Sequence, residues 1–142
     1  MNVEQLIGTW RLRSWKSFAG DGSEIDQLGQ DPVGYIIYTG DGYVSVDMMA
    51  AHRKREGSGD TPESLSTYLA YAGPFEVLAD QDTVIHHVEV CSIPGWVGTD
   101  QVRFAKREGD RLTLSFEPMI IQGVERRGEL VWERVAPRLT SD

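Results

Sequence analysis

The residues best suited to chemistry are two adjacent histidines, His86 and His87, in a segment with the character of a β-strand. Neighbouring strand residues point to opposite faces, so the pair cannot bind one metal ion from a single strand. Cys91 lies four residues beyond His87, roughly 13 Å away along an extended chain. We therefore expect no metal site. We also expect no cofactor. His86 alternates with Val84 and Val88, which predicts that His86 faces the interior and His87 faces solvent.

An interior His86 permits two interpretations, and the sequence leaves both open. A histidine titrates near neutral pH and can act as a general acid or base, which makes His86 a candidate catalytic residue. It could instead be a core histidine whose nitrogens are satisfied by a tyrosine hydroxyl or a backbone carbonyl. An enclosed cavity beside His86, with a second polar group within hydrogen-bond reach, would favour catalysis.

Arg103 is the second candidate, and the alternation around it leaves its orientation open. It lies between Val102 and Phe104, which would take interior positions and send Arg103 outward as a solvated salt-bridge partner. An inward Arg103 could instead hold a carboxylate or enolate oxygen of a ligand through a charge-assisted hydrogen bond.

Short strands joined by local turns would position these residues. Tyr35–Tyr38 and Tyr43–Met48 flank an Asp-Gly turn, which is a strong hairpin signal. With the first strand, about eight strands are predicted, which indicates an all-β, eight-stranded antiparallel up-and-down barrel. Thr61-Pro62-Glu63-Ser64 predicts the start of one short helix, from about Pro62 to about Ala70. The later strand-like segments are 74–78, 83–91, 99–106, 111–116 and 125–135.

The first and last strands carry residues that could close such a barrel. Trp10, Leu12 and Phe18 alternate onto one face, and Ser17 onto the other. Trp15 breaks this alternation, and a bulge near Ser14 would repair it.

In the last strand, Leu130, Trp132 and Arg134 share one face. An inward arginine should be paired or stacked on a ring, because an unpaired buried charge is costly. Trp10 is the ring expected to cover Arg134.

Composition favours a single globular domain over residues 1–142. Hydrophobic residues make up 40% and charged residues 25% of the chain, which excludes disorder. A net charge of −8 opposes binding to nucleic acid or to an anionic membrane. The single cysteine cannot form an internal disulfide, and the first residues do not resemble a secretion signal, so we expect a cytoplasmic protein. The oligomeric state is not predicted.

A series of motifs along the chain carries a resemblance to a known family. In this order they resemble the bacterial and fungal lipocalin-like domain proteins of the calycin group, and the block from Pro94 to Thr99 is the most specific. The resemblance implies an eight-stranded barrel with an internal cavity, a contact between Trp10 and Arg134, and an Arg103 that faces the cavity. The matching segments are Gly8–Trp10, Tyr35–Tyr38, Gly42–Ser45, Ala70–Gly73, His86–Glu89, Pro94–Arg103, Gly109–Leu114 and Val131–Val135.

Three functional hypotheses follow. The first is binding of a small hydrophobic or aromatic molecule inside the barrel. The second is a cofactor-free isomerase or cyclase, in which His86 moves a proton and Arg103 steadies an oxyanion. The third is a structural module with a filled interior. The predicted ligand contacts are Tyr38, Met48, Tyr71, His86, Trp96 and Arg103.

Overall fold

Ten β-strands account for most of the residues that the structure, a computed structural model, describes: 1–51, 67–121 and 123–139. Within these ranges the helical segments are single 3₁₀ turns, at Val3–Gln5, Ala79–Gln81 and Pro94–Trp96. The same ranges contain no helix long and apolar enough to cross a lipid bilayer. The strands are β1 Gly8–Ala19, β2 Glu24–Asp26, β3 Val33–Tyr38, β4 Tyr43–Met49, β5 Tyr68–Leu78, β6 Thr83–His87, β7 Val90–Cys91, β8 Asp100–Glu108, β9 Arg111–Ile121 and β10 Val124–Arg134.

Eight of these strands form a closed antiparallel barrel, which confirms the predicted fold class. The neighbours are β1, β3, β4, β5, β6, β8, β9 and β10, and β10 returns to pair with β1. The short strands β2 and β7 add to β1 and β5, respectively. Closure pairs the first strand with the last, so neither leaves an open edge for another chain.

The helix predicted from about Pro62 to about Ala70 is wrong at its C-terminal end. Residues 52–66 lie outside the described part of the chain, but Tyr68–Ala70 belong to β5. Leu69 pairs with Met48 of β4 and begins a buried alternation that continues through Tyr71. Pairing with β4 therefore extends β5 toward the N-terminus well beyond Pro74, where a strand was expected.

The bulge predicted near Ser14 is present, and it reverses the facing of the rest of β1. The register between β1 and β10 shifts between Leu12 and Ser14. Beyond this point Ser17 is completely buried, whereas Phe18 is half-buried beneath the Arg127 guanidinium. The expected facing of Ser17 and Phe18 is thus wrong, because an extra residue in a strand exchanges its two faces.

One end of the barrel is closed around Trp10, which is completely buried. Its indole N–H donates to the Leu6 carbonyl oxygen at 2.9 Å. The Arg134 guanidinium lies 5.2 Å from the Trp10 ring centroid and donates to the Ile7 carbonyl at 3.0 Å. Gly8 has φ +131°, and a Cβ there would lie only 3.0 Å from Arg134 Nη2. A glycine at this position therefore leaves room for the arginine.

Candidate functional site

A cavity of about 240 Å³ lies in the barrel interior. Its surface is mostly apolar, and Arg103 is the charged residue among the described residues that line it. The lining residues are Trp15, Ile36, Val46, Met48, Leu69, Tyr71, Ile93, Trp96, Arg103, Leu114, Phe116, Leu130 and Trp132.

The predicted ligand contacts divide into two groups. Met48, Tyr71, Trp96 and Arg103 line the cavity, contributed by β4, β5, the turn Pro94–Trp96 and β8. Tyr38 and His86 are also buried, but they lie outside the cavity lining. Hydrogen bonds connect both of them, directly or through His86, to Tyr71 of the lining.

Tyr38, His86 and Tyr71 form a hydrogen-bonded chain across three strands. The Tyr38 oxygen is 2.7 Å from His86 Nε2, and the Tyr71 oxygen is 2.7 Å from His86 Nδ1. A neutral imidazole has one N–H donor and one acceptor nitrogen, so one tyrosine must donate to His86 and the other must accept from it. Both ring nitrogens are therefore occupied, and the Tyr71 ring is held in a fixed position at the cavity.

The environment of His86 keeps its imidazole neutral. Burial lowers the pKa of His86 from its ordinary value of 6.5 to about 3, and the positive charges of Arg103 and His87 act in the same direction. At neutral pH such an imidazole has no extra proton to give, and it is a weak base. The arrangement is that of a core histidine satisfied by tyrosine hydroxyls, which was the second interpretation of its sequence.

Arg103 faces the interior, which resolves the ambiguity of its segment. It is buried with Gln101 and Ala105, whereas Val102 and Phe104 are exposed. Of the two orientations that the sequence left open, the one with Val102 and Phe104 in the interior is wrong. The reason is register: Arg103 pairs with buried Val84 across β6 and β8, and directly paired residues of neighbouring strands share a face.

The contacts of Arg103 leave its charge unbalanced. Arg103 Nη1 donates to the backbone carbonyl oxygen of Val102 at 3.1 Å, and Nη2 donates to Gln101 Oε1 at 3.2 Å. The guanidinium carbon lies 4.8 Å from the Phe116 ring centroid. Among the described residues, no carboxylate lies within 4.0 Å of the guanidinium. Since buried charges are normally paired, this cation is the most unusual feature of the cavity.

Nine of the thirteen lining residues were not among the predicted ligand contacts, and Trp15 and Trp132 are two of these nine. The indole nitrogens of Trp15 and Trp132 are buried, and they have no hydrogen-bond partner in the part of the chain that the structure describes. The alternation of apolar residues in the last strand predicted that Trp132 faces the interior, but it gave no reason to place Trp132 in a ligand site. For Trp15 the signal was the break in the alternation of the first strand, because the bulge there turns this residue inward.

The cavity approaches the surface beside the turn Pro94–Trp96. Trp96 is half-buried, and its ring centroid is 6.0 Å from that of Tyr71. Ile93, just before this turn, lines the cavity and is also exposed to solvent. Two apolar side chains thus stand at the entrance to the cavity.

His87 is part of a surface cluster, separate from the cavity. Its Nδ1 is 2.7 Å from Asp100 Oδ1, and its Nε2 is 3.0 Å from Glu76 Oε1. The hydrogen bond to Asp100 is the main cause of a raised pKa for His87, and Glu76 adds to it. Within the described ranges there is no group of three His, Cys, Asp or Glu residues arranged to hold a metal ion.

Comparison with known proteins gives a family and one characterised relative. The sequence model of the lipocalin-like domain matches residues 7–135. The chain is 41% identical over 100 residues to the 4'-hydroxy-3'-methoxypropiophenone carrier protein ppsC of Aspergillus oryzae (strain ATCC 42149 / RIB 40). This similarity covers 63% of the present chain and 89% of the relative.

Proposed function

The chain belongs to the lipocalin-like domain family, and from this premise we propose that it binds a small oxygen-bearing aromatic molecule inside the barrel. The fold and the carrier relative support the binding of a small molecule in general. The chemical class of the ligand follows from the size and the polarity of the cavity.

The observation that carries this proposal is an apolar cavity with one unbalanced guanidinium. Pockets for drug-sized ligands measure about 300 to 1,000 Å³. A cavity of about 240 Å³ therefore suits a smaller molecule, such as one substituted aromatic ring. It also equals about eight times the volume of a water molecule in the liquid, which argues against a structural barrel with a filled interior.

The guanidinium of Arg103 offers hydrogen-bond donors to a ligand in the cavity. Arg103 donates only, and it is the charged group of the lining. A ligand with carbonyl, methoxy or phenolic oxygens would supply acceptors for this guanidinium. The name of the carrier relative gives a ligand with such oxygens, a hydroxylated and methoxylated aryl ketone.

The position of His86 favours binding over isomerase or cyclase activity. A general acid or base must reach the reacting atom, but His86 is not among the residues that line the cavity, and both imidazole nitrogens already have partners. His86 is better suited to position Tyr71 than to transfer a proton to a ligand.

The experiment compares two matched substitutions, Val46→Phe in the cavity lining and Val102→Phe on the outer face of β8. Binding of 4'-hydroxy-3'-methoxypropiophenone is measured by quenching of tryptophan fluorescence and by calorimetry. We expect wild type and Val102→Phe to bind, and Val46→Phe to lose binding while circular dichroism shows an intact barrel. Undiminished binding by Val46→Phe would place the ligand outside the cavity, and no binding by the wild type would refute this ligand class.

A further inference from the structure

We propose that the cavity takes the ligand as an oxyanion, namely the phenolate form of an acidic phenol, with the phenolate oxygen at Arg103. This inference rests on the proposed function and adds the ionisation state and the orientation of the ligand. Ionisation breaks the phenol O–H bond, and the proton leaves to bulk solvent.

The first argument is the balance of charge. Arg103 is buried, and no carboxylate among the described residues lies within ion-pair distance of its guanidinium. A neutral ligand would leave this cation uncompensated in an apolar cavity, whereas a phenolate would pair with it. A cation within about 4 to 6 Å typically lowers the pKa of an acid by 1 to 3 units, because it favours the charged form, whereas burial raises it. The shift expected for the ligand is the net result of these two effects, and direct contact of its oxygen with the guanidinium favours the first.

The titratable groups around Arg103 do not compete for its charge. Tyr38 on β3 and Tyr71 on β5 face it. Burial raises the pKa of both hydroxyls more than the charge of Arg103 lowers it, so each stays protonated at neutral pH. The third group is His86 on β6, which is neutral. Gln101 contributes only an amide oxygen. The described groups thus leave the negative charge to be supplied by the ligand.

The hydrogen-bonded chain can add a second donor to the same oxygen. If the Tyr38 hydroxyl donates to His86 Nε2, then Nδ1–H donates to the Tyr71 oxygen. The Tyr71 hydrogen is then free to point into the cavity toward the phenolate. Binding of an oxyanion selects this arrangement, because the reverse arrangement would present the Tyr71 oxygen without its hydrogen.

The test uses 4-nitrophenol, whose phenolate is yellow, together with 4-nitroanisole, its methyl ether, which cannot ionise. Absorbance of protein-bound 4-nitrophenol is followed as a function of pH. We expect the pKa of bound 4-nitrophenol to fall by at least about one unit, which means that the phenolate binds at least tenfold more tightly than the phenol. 4-Nitroanisole has no proton to lose, so its affinity should not follow the pH dependence seen for 4-nitrophenol.

Three arginine variants locate the effect. Arg103→Met should abolish the shift and weaken phenolate binding at least tenfold, with little effect on 4-nitroanisole. Arg103→Lys retains the charge and should retain a lowered ligand pKa. Arg11→Met removes an exposed charge that stacks on Tyr35 on the outer face, and it should behave like wild type. Urea unfolding of each variant verifies its fold.

The outcomes separate this inference from the proposed function. If 4-nitrophenol binds to wild type with an unchanged or raised pKa, or if Arg103→Met keeps the lowered pKa, the oxyanion inference is overturned and binding in the cavity stands. If neither probe binds to folded wild-type protein, the proposed function and this inference fail together.

Discussion

Replacing His86 with glutamine should remove a large part of the acid sensitivity of this barrel. In the folded protein the pKa of His86 is about 3, against an ordinary value of 6.5. Between these values the unfolded chain binds a proton at His86 and the folded chain does not, so His86 makes the folded state less stable as pH falls. The stability that the neutral His86 contributes is fully present above about pH 6.5 and is lost progressively as the pH falls toward 3.

The magnitude follows from the size of this shift. For each pH unit below the pKa of the unfolded chain, the free energy of unfolding falls by about 1.4 kcal/mol, which is the free-energy equivalent of one pKa unit. Lowering the pH from 7.5 to 4.5 crosses two such units, so wild type should lose about 3 kcal/mol through His86 alone. His86→Gln should lack this loss, whereas the titration of the exposed carboxylates is common to both proteins and cancels in the comparison.

Urea unfolding at both pH values, followed by tryptophan fluorescence, measures the difference. His87→Gln is the matched control with the opposite sign. Its raised pKa means that His87 adds stability below the unfolded pKa and that this contribution is lost as pH rises. Removing His87 should therefore steepen the acid sensitivity.

An equal loss of stability in wild type and His86→Gln would refute the assignment of a buried neutral imidazole. A titration of the His86 ring by NMR gives the same answer without a substitution. Its resonances should show a neutral ring down to about pH 4.5, and a midpoint near 6.5 would contradict the structure.

Three further predictions concern single sites and are measured by urea unfolding. Arg103→Met should leave the unfolding free energy unchanged or raise it by up to about 4 kcal/mol, because it removes a buried charge that no carboxylate balances. A loss above about 1 kcal/mol would show that the contacts of the guanidinium with Gln101 and Phe116 stabilise the fold. Trp10→Ala should cost about 3–5 kcal/mol, and a loss below about 1 kcal/mol would mean that Trp10 does not close the barrel. Gly73→Ala should cost about 1–3 kcal/mol, because the Cβ of the alanine would collide with the His87 carbonyl oxygen. Gly40→Ala is the control and should be neutral, because the space around Gly40 is open. Equal effects of the two substitutions would contradict the contact at Gly73.

The strands of this protein were predictable because their signals are local. Alternation of apolar and polar residues, together with turn signals such as Asp41-Gly42, depends on neighbours within a few positions. The same patterns, with a tryptophan near one end and an arginine near the other, indicated closure of the barrel between Trp10 and Arg134. The predicted helix failed at Tyr68–Ala70, where pairing with β4 overrides the helix-start signal upstream.

The facing of Arg103 could not be derived from its own segment. Val102 and Phe104 are the more apolar residues, and a local rule places them inside. The register with β6 places Arg103 beside buried Val84 instead, which leaves two large apolar side chains exposed. Register depends on pairing between segments about twenty positions apart, so alternation within one strand does not determine it.

The sequence by itself determined a closed β-barrel with Trp10 and Arg134 at its closure, and an inward His86. Only the tertiary structure decided what surrounds these residues. Tyr38 and Tyr71 meet His86 from 48 and 15 positions away, and they occupy both nitrogens of its imidazole. The unbalanced charge of Arg103 is likewise a property of several strands together. Whether a buried cation has a partner depends on every side chain that folding brings near it. The spacing of residues along the sequence does not give the distances between those side chains.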